Sequence, residues 1–316
     1  MLKLSQYSLI ASLMLVVLAL LCYILALTLG RSVRKQPDMA HAGRSSGSGA
    51  DHDADFDADF DADFDADDGK GSEGVFAAPP RTLALYGTYF TRLALVFLTA
   101  CLVLRTMAVG HGPFTNQYEF SVAFGWGMVA AYVYFEHRYH VRTIALLILP
   151  ITAALLLYAM SVGATANPLV PALQNNLLLT IHVAVAIVAY GAFAVSFAAA
   201  VLYLIQPEEG RPGLPKPALL DEMGYRAVII GFPLLTLVVV LGAVWAEIAW
   251  GTYWSWDPKE TASLLTWLIY GAYLHARVAR GWVGRPAAWL LVVGFASVLL
   301  TFFGNLFFGG LHSYAK

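Results

Sequence analysis

The chain has 316 residues, 59% of them hydrophobic and only 13% charged. A soluble domain is about half apolar and a quarter charged, so this composition excludes an ordinary water-soluble protein and points to the membrane. The formal net charge of -2 conceals an uneven spread: ten of the 21 acidic residues lie between Asp51 and Asp68, and the remainder of the chain is mildly basic.

A membrane-spanning helix needs about 20 mostly apolar residues. Eight segments qualify or come close, at 7–29, 83–107, 119–135, 143–161, 179–204, 227–246, 262–278 and 287–308. The fold class expected is therefore all-α, a polytopic membrane protein with about eight transmembrane helices. The first segment follows Lys3, but it is long, no small-residue cleavage site follows, and Arg31, Arg34 and Lys35 come at once. It reads as a retained N-terminal transmembrane anchor, residues 1–30. Residues 31–82 contain "DHDADFDADFDADFDADDGKGSEG", in which acid alternates with Ala or Phe. Ten aspartates repel one another and bury no core, so a disordered acidic cytoplasmic loop is expected. The glycine and spaced glutamate of a calcium loop are absent. A second loop on the same side, "QPEEGRPGLPKPALLDE", is broken by prolines. Cys22 and Cys101 sit in separate apolar runs and form no CxxC pair, so no metal clip or c-type haem attachment site is visible.

Lysine and arginine favour cytoplasmic loops. With the N-terminus outside, 14 of the 19 basic residues fall on inner segments, among them Arg138, Arg142, Arg226, Arg277 and Arg285. Both termini are thus expected outside, together with "WAEIAWGTYWSWDPKE" at 245–260, which joins spans six and seven. Ionisable groups cost roughly 2.5–3.5 kcal/mol each at mid-bilayer and tend to mark function. Of the eight histidines, His41 and His52 lie in the acidic loop, His137 and His140 in the basic turn "EHRYHVR", and His111 in the outer loop "GHGPFTNQYEF". His182 lies near the outer end of span five, and His312 lies just past the outer end of span eight. His275 is roughly 20 Å down span seven, near the inner face.

Interfacial tryptophans usually spread around a protein as a belt. Here Trp245, Trp250, Trp254 and Trp256 crowd one connection, with Gly251 among them. A helical Trp250 and Trp254 would share a face, and Gly251 would let a flat group approach the backbone. A ligand that wants a flat apolar platform and two neutral imidazoles is haem. Its propionates want donors or cations, for which Tyr253, Lys259, Arg105 and indole N–H groups are at hand. Asp257 before Pro258 reads as a helix start with proline at its first position.

"WGTYWSWDPKETASLLTWLIYGAYLHARVARGWVG", the terminal "FFGNLFFGGLHSY", "GHGPFTNQYEF" and "LQNNLLLTIHVAVAIVAYGAFAVSF" resemble the tryptophan-rich (WWD) haem-handling proteins of c-type cytochrome maturation. The nearest likeness is to the CcsA (ResC) family of the System II cytochrome c synthase. It runs from about residue 83 to the end, so residues 83–316 are expected to form the haem-handling transmembrane domain. The resemblance implies haem b as substrate and bound ligand, carried to the outer face and presented for thioether attachment to apocytochrome CxxCH motifs. It implies that His182 and His312 are outer axial ligands, that His275 supports haem within the membrane, and that Trp245, Trp250, Trp254, Trp256 and Asp257 form the WWD platform. It further implies a CcsB (ResB)-type membrane partner, apocytochrome c and thiol-reducing proteins as partners, and a role as one subunit of a holocytochrome c synthase. Nucleic acid is not an expected partner. Ala262 stands where the family carries a bulky residue after "DPKET". The location implied is a bacterial cell membrane, ahead of a thylakoid. A System I-type haem exporter is the alternative within the superfamily. A b-type electron carrier, which would want two stacked histidine pairs, is the alternative outside it.

Overall fold

The computed structural model describes residues 1–33, 80–165, 173 and 176–312. The acidic repeat and the last four residues lie outside the described residues. Eight α-helices are found among the described residues: α1 (Leu2–Val33), α2 (Pro80–Val109), α3 (Gln117–Tyr139), α4 (Ala145–Val162), α5 (Asn176–Leu204), α6 (Pro217–Trp250), α7 (Pro258–Arg280) and α8 (Arg285–Phe307). Each predicted span falls on one helix. The largest difference is α6, which begins ten residues before the expected 227, inside the segment read as a proline-broken loop. Pro217 stands in the first turn, where its missing N–H costs nothing. Glu222 and Arg226, one turn apart and 2.6 Å from each other, support the polar extension.

Six helices are long and apolar enough to cross a membrane: α1, α2, α4, α5, α6 and α8. The other two, α3 and α7, have 23 residues each but carry more polar side chains. The chain is thus an all-α polytopic membrane protein. Contacts at the helix ends show that successive helices alternate in direction. At one end, Ser5 of α1 donates to the Cys101 carbonyl of α2. There Arg105, also in α2, pairs with Glu119 of α3 and donates to the Ala164 carbonyl beyond α4. At the other end, the Tyr132 hydroxyl (α3) donates to that of Tyr23 (α1), and Thr88 (α2) donates to Glu136 (α3), which Arg142 also faces at 3.4 Å. Asp221 (α6) pairs with Arg277 (α7) at 2.6 Å and accepts from the Gly284 N–H that opens α8.

α5 is the central helix. It packs on α3, α6 and α8, while α1 covers α2 and α4. Small residues admit this crowding. Where α3 crosses α5, a Cβ on Gly127 would stand 2.6 Å from the Ile187 carbonyl oxygen, and one on Gly191 would collide with the Gly127 carbonyl. Phe193 of α5 stacks on Tyr270 of α7 with ring centroids 3.7 Å apart. Gly191→Val should push α3 off α5 and cost about 1–3 kcal/mol, as overpacking does. Thermal unfolding in detergent checks this, and an unchanged midpoint would show that the crossing is looser than described.

Candidate haem-handling site

The site is built where α6 stops and α7 starts. Gly251 takes a left-handed conformation (φ 73°) and its N–H donates to the Glu247 carbonyl, which ends α6 just after Trp250. Gly251 therefore serves the helix cap, and Trp250 and Trp254 do not share a helical face. Residues 251–257 are non-helical, with Trp256 at φ 60°. This connection is held by Glu260, whose carboxylate accepts from the Ser255 and Asp257 N–H groups at 2.8 and 3.2 Å. Asp257 caps α7 by accepting from the Lys259 N–H, which completes a capping box with Glu260. The helix start read at Asp257–Pro258 is thus present.

Asp257 has a second task. Its Oδ1 also accepts from the His312 Nδ1–H at 2.7 Å. The C-terminal segment reaches it because Gly310 lies so close that a Cβ there would run into Asp257 and Pro258. Burial alone would raise the Asp257 carboxyl, but the hydrogen bond from His312 and backbone N–H groups bring it down to about 2. Burial lowers the His312 imidazole below its ordinary value, against the opposing pull of Asp257. His312 is therefore neutral at pH 7. With Nδ1 carrying the proton, its lone pair is on Nε2.

His182, on α5, reaches the same condition by another route. Its Nδ1–H donates to the Val238 carbonyl of α6 at 3.0 Å, so its lone pair is also on Nε2. A metal-ligating histidine is commonly oriented in this way, through the ring nitrogen that does not ligate.

Both imidazoles line one cavity between the ends of α3, α5, α6, α7 and α8. Trp245, Tyr253, Trp254 and Lys259 line it as well. The four tryptophans divide into two edge-to-face pairs. Trp245 and Trp250 (centroids 4.7 Å apart) abut His312, and Trp254 meets Trp256 at 5.8 Å. Trp256 is 68% exposed. The Trp245 indole N–H is buried and has no acceptor among the described residues. The Lys259 ammonium lies 4.8 Å over the Phe120 ring.

His275 is not part of this cavity. It is exposed in the last two turns of α7, about 27 Å along the helix from Asp257. His137 and His140 are exposed at the basic end. Arg105, read as a cation for a propionate, is instead 2% exposed, bonded to Glu119 at 2.9 Å and to the Ala164 and Thr165 carbonyls. Arg92 lies on the exposed face of α2. Sequence reading missed Gln117, Phe120, Tyr190 and Gly242, all of which line the cavity. No local signal marks them, because nothing in a helical pattern tells a wall of a cavity from ordinary core.

The donor set suits haem. Two neutral imidazoles present Nε2 lone pairs, the walls are aromatic and aliphatic, and Lys259, Gln117 and the Trp245 N–H offer a cation and donors for carboxylates.

A family described as "Cytochrome C assembly protein" matches residues 114–312, the stretch from the loop before α3 to His312. The chain is 37% identical over 257 residues to the cytochrome c biogenesis protein CcsA of Guillardia theta, covering 72% of this chain and 84% of that protein. It is 35% identical over 293 residues to CcsA of Gloeobacter violaceus, covering 72% and 86%. To CcsA of Chlamydomonas reinhardtii it is 38% identical over 234 residues, covering 69% and 65%. The chain belongs to the cytochrome c assembly protein family, among the CcsA proteins of cytochrome c biogenesis.

Proposed function

We propose that this protein holds haem b as its substrate between His182 and His312 and presents it at the outer face for attachment to apocytochrome c. The observation that carries the reading is the pair of oriented imidazoles on one aromatic cavity, each with Nδ1 tied and its lone pair on Nε2. Haem supplies two vinyl groups, across which the thiols of a CxxCH peptide add to form thioethers without any leaving group.

The protein's own residues bind and orient. His182 and His312 set the ring plane. Lys259, Gln117 and the Trp245 N–H would hold the propionates and so orient the bound ring for the peptide. Trp245 and Trp254 form aromatic walls. Trp250 packs behind His312, and Trp256 stands at the exposed rim. Asp257 stabilises the required tautomer of His312 rather than donating a proton to the reacting groups. No side chain of this chain is assigned as acid or base.

The wider reading has the tryptophan connection and both termini on the extracytoplasmic side of a bacterial cell membrane. Residues 1–30 are the anchor, 31–82 the acidic cytoplasmic loop and 83–316 the haem-handling domain. A CcsB (ResB)-type subunit covers exposed His275 and shares haem with it on the inner half of the path, and thiol-reducing proteins keep the peptide's cysteines free. The basic end formed by Arg138, Arg142, Arg226, Arg277 and Arg285 supports this orientation. Purified with its partner from haem-replete cells, the protein should show the sharp alpha and beta bands of low-spin haem. A colourless preparation would overturn the reading.

A further inference from the structure

We infer that Gly242 is the seat of His182, a positioning residue for the outer haem ligand. The inference rests on the proposed ligation by His182 and adds the group that aims it. Gly242 lies on α6, one turn beyond Val238 and two turns before Trp250, and Gly242 and Val238 both line the cavity. A Cβ at Gly242 would stand 2.8 Å from His182 Cε1 and 3.3 Å from Nδ1. The imidazole therefore lies directly on bare helix backbone. Only there does Nδ1–H reach the Val238 carbonyl at 3.0 Å, an oxygen already inside the helix. The bond to Val238 fixes the tautomer, and contact with the Gly242 backbone fixes the ring plane. Together they decide where Nε2 points.

Nothing about the backbone requires glycine here. Gly242 sits in the interior of α6, and its φ is not among the positive values. A glycine in a helix interior costs about 1 kcal/mol relative to alanine, so alanine should stabilise α6 as a helix. Its harm is confined to the imidazole. Gly271 supplies a control, because a Cβ there would touch only Phe232, at 3.5 Å, which is ordinary contact.

The test is a double-mutant cycle with an optical readout, using the full chain purified with its partner. Gly242→Ala should lower low-spin haem at the outer site by about 10- to 100-fold, the size seen when the group orienting a metal-bound histidine is disturbed. Added imidazole should restore it, which a general folding defect would not allow. In a His182→Gly background whose bands are restored by added imidazole, the same alanine meets no tethered ring, so Gly242→Ala should have no further effect there. Gly271→Ala should leave the spectrum unchanged. If Gly242→Ala alone fails to accumulate but the double variant accumulates, the clash with His182 is the cause and the inference stands. A Gly242→Ala spectrum like that of the unaltered protein, while His182→Gly loses the bands, overturns the inference and leaves the ligation intact. Equal and additive defects in both backgrounds also overturn it. If His182→Gly itself keeps the bands, the ligation has failed and the inference with it.

Discussion

Replacing His312 or His182 with alanine should each remove low-spin haem from the outer site and stop cytochrome c maturation, with added imidazole restoring part of both. The expected loss exceeds about 100-fold, because even groups that only orient a metal ligand are worth about 10- to 100-fold. The two substitutions differ in what they leave behind. His312→Ala leaves Asp257 with its Lys259 N–H bond and the α7 cap, so the tryptophan connection should hold its shape. His182→Ala frees only a carbonyl that α6 already uses, and α5 remains packed in the core. Neither should alter the thermal unfolding of the haem-free protein by much, which separates a ligand from a structural residue. Haem staining of cellular c-type cytochromes, beside the optical spectrum, reads both effects. Full maturation in His312→Ala would show that the outer pair is wrongly assigned.

The second large effect is on stability. Arg105→Ala should destabilise the fold by about 3–5 kcal/mol, the size expected when one member of a buried ion pair is removed. Arg105 and Glu119 are each 2% exposed, and the guanidinium also holds the Ala164 and Thr165 carbonyls at the end of α4. Its loss would strand a carboxylate that otherwise accepts from Arg105 and from the N–H and hydroxyl of Thr115. Lys259→Ala makes the contrast. It removes the cation at the cavity, so it should weaken haem retention while the unfolding midpoint stays close to that of the unaltered protein. Accumulation and thermal unfolding in detergent check the first, and haem content per protein checks the second. If Arg105→Ala were stable and lost haem alone, the propionate role read from sequence would be right after all.

These two arginine and lysine positions show what was legible in the sequence. Spans could be placed because burial in lipid demands long apolar runs, which composition displays directly. The start of α7 at Asp257–Pro258 was legible for a local reason, since cap and proline act within one turn. That His182 and His312 lie toward the same outer face followed from counting crossings, while their pairing came from the family resemblance. What escaped depends on contacts between distant segments. Whether Arg105 serves a propionate or Glu119 turns on how α2 enters α3, which hydropathy does not describe. Gly251 resembled a place for a flat ligand, yet the end of α6 claims it as a left-handed cap. The face of each tryptophan depends on where α6 stops, and the helix ends at Trp250, four residues too soon for Trp250 and Trp254 to align. Gly242 is invisible without coordinates, because its meaning lies in a ring carried by another helix.

The most direct test of the central claim is near-infrared magnetic circular dichroism of the ferric protein purified with its partner, which distinguishes two imidazole ligands from other axial pairs. The account predicts a bis-imidazole signal from the outer haem that disappears in His182→Ala and in His312→Ala and returns with added imidazole. A bis-imidazole signal that keeps its full intensity in both substitutions, beyond what the inner haem at His275 supplies, would contradict it.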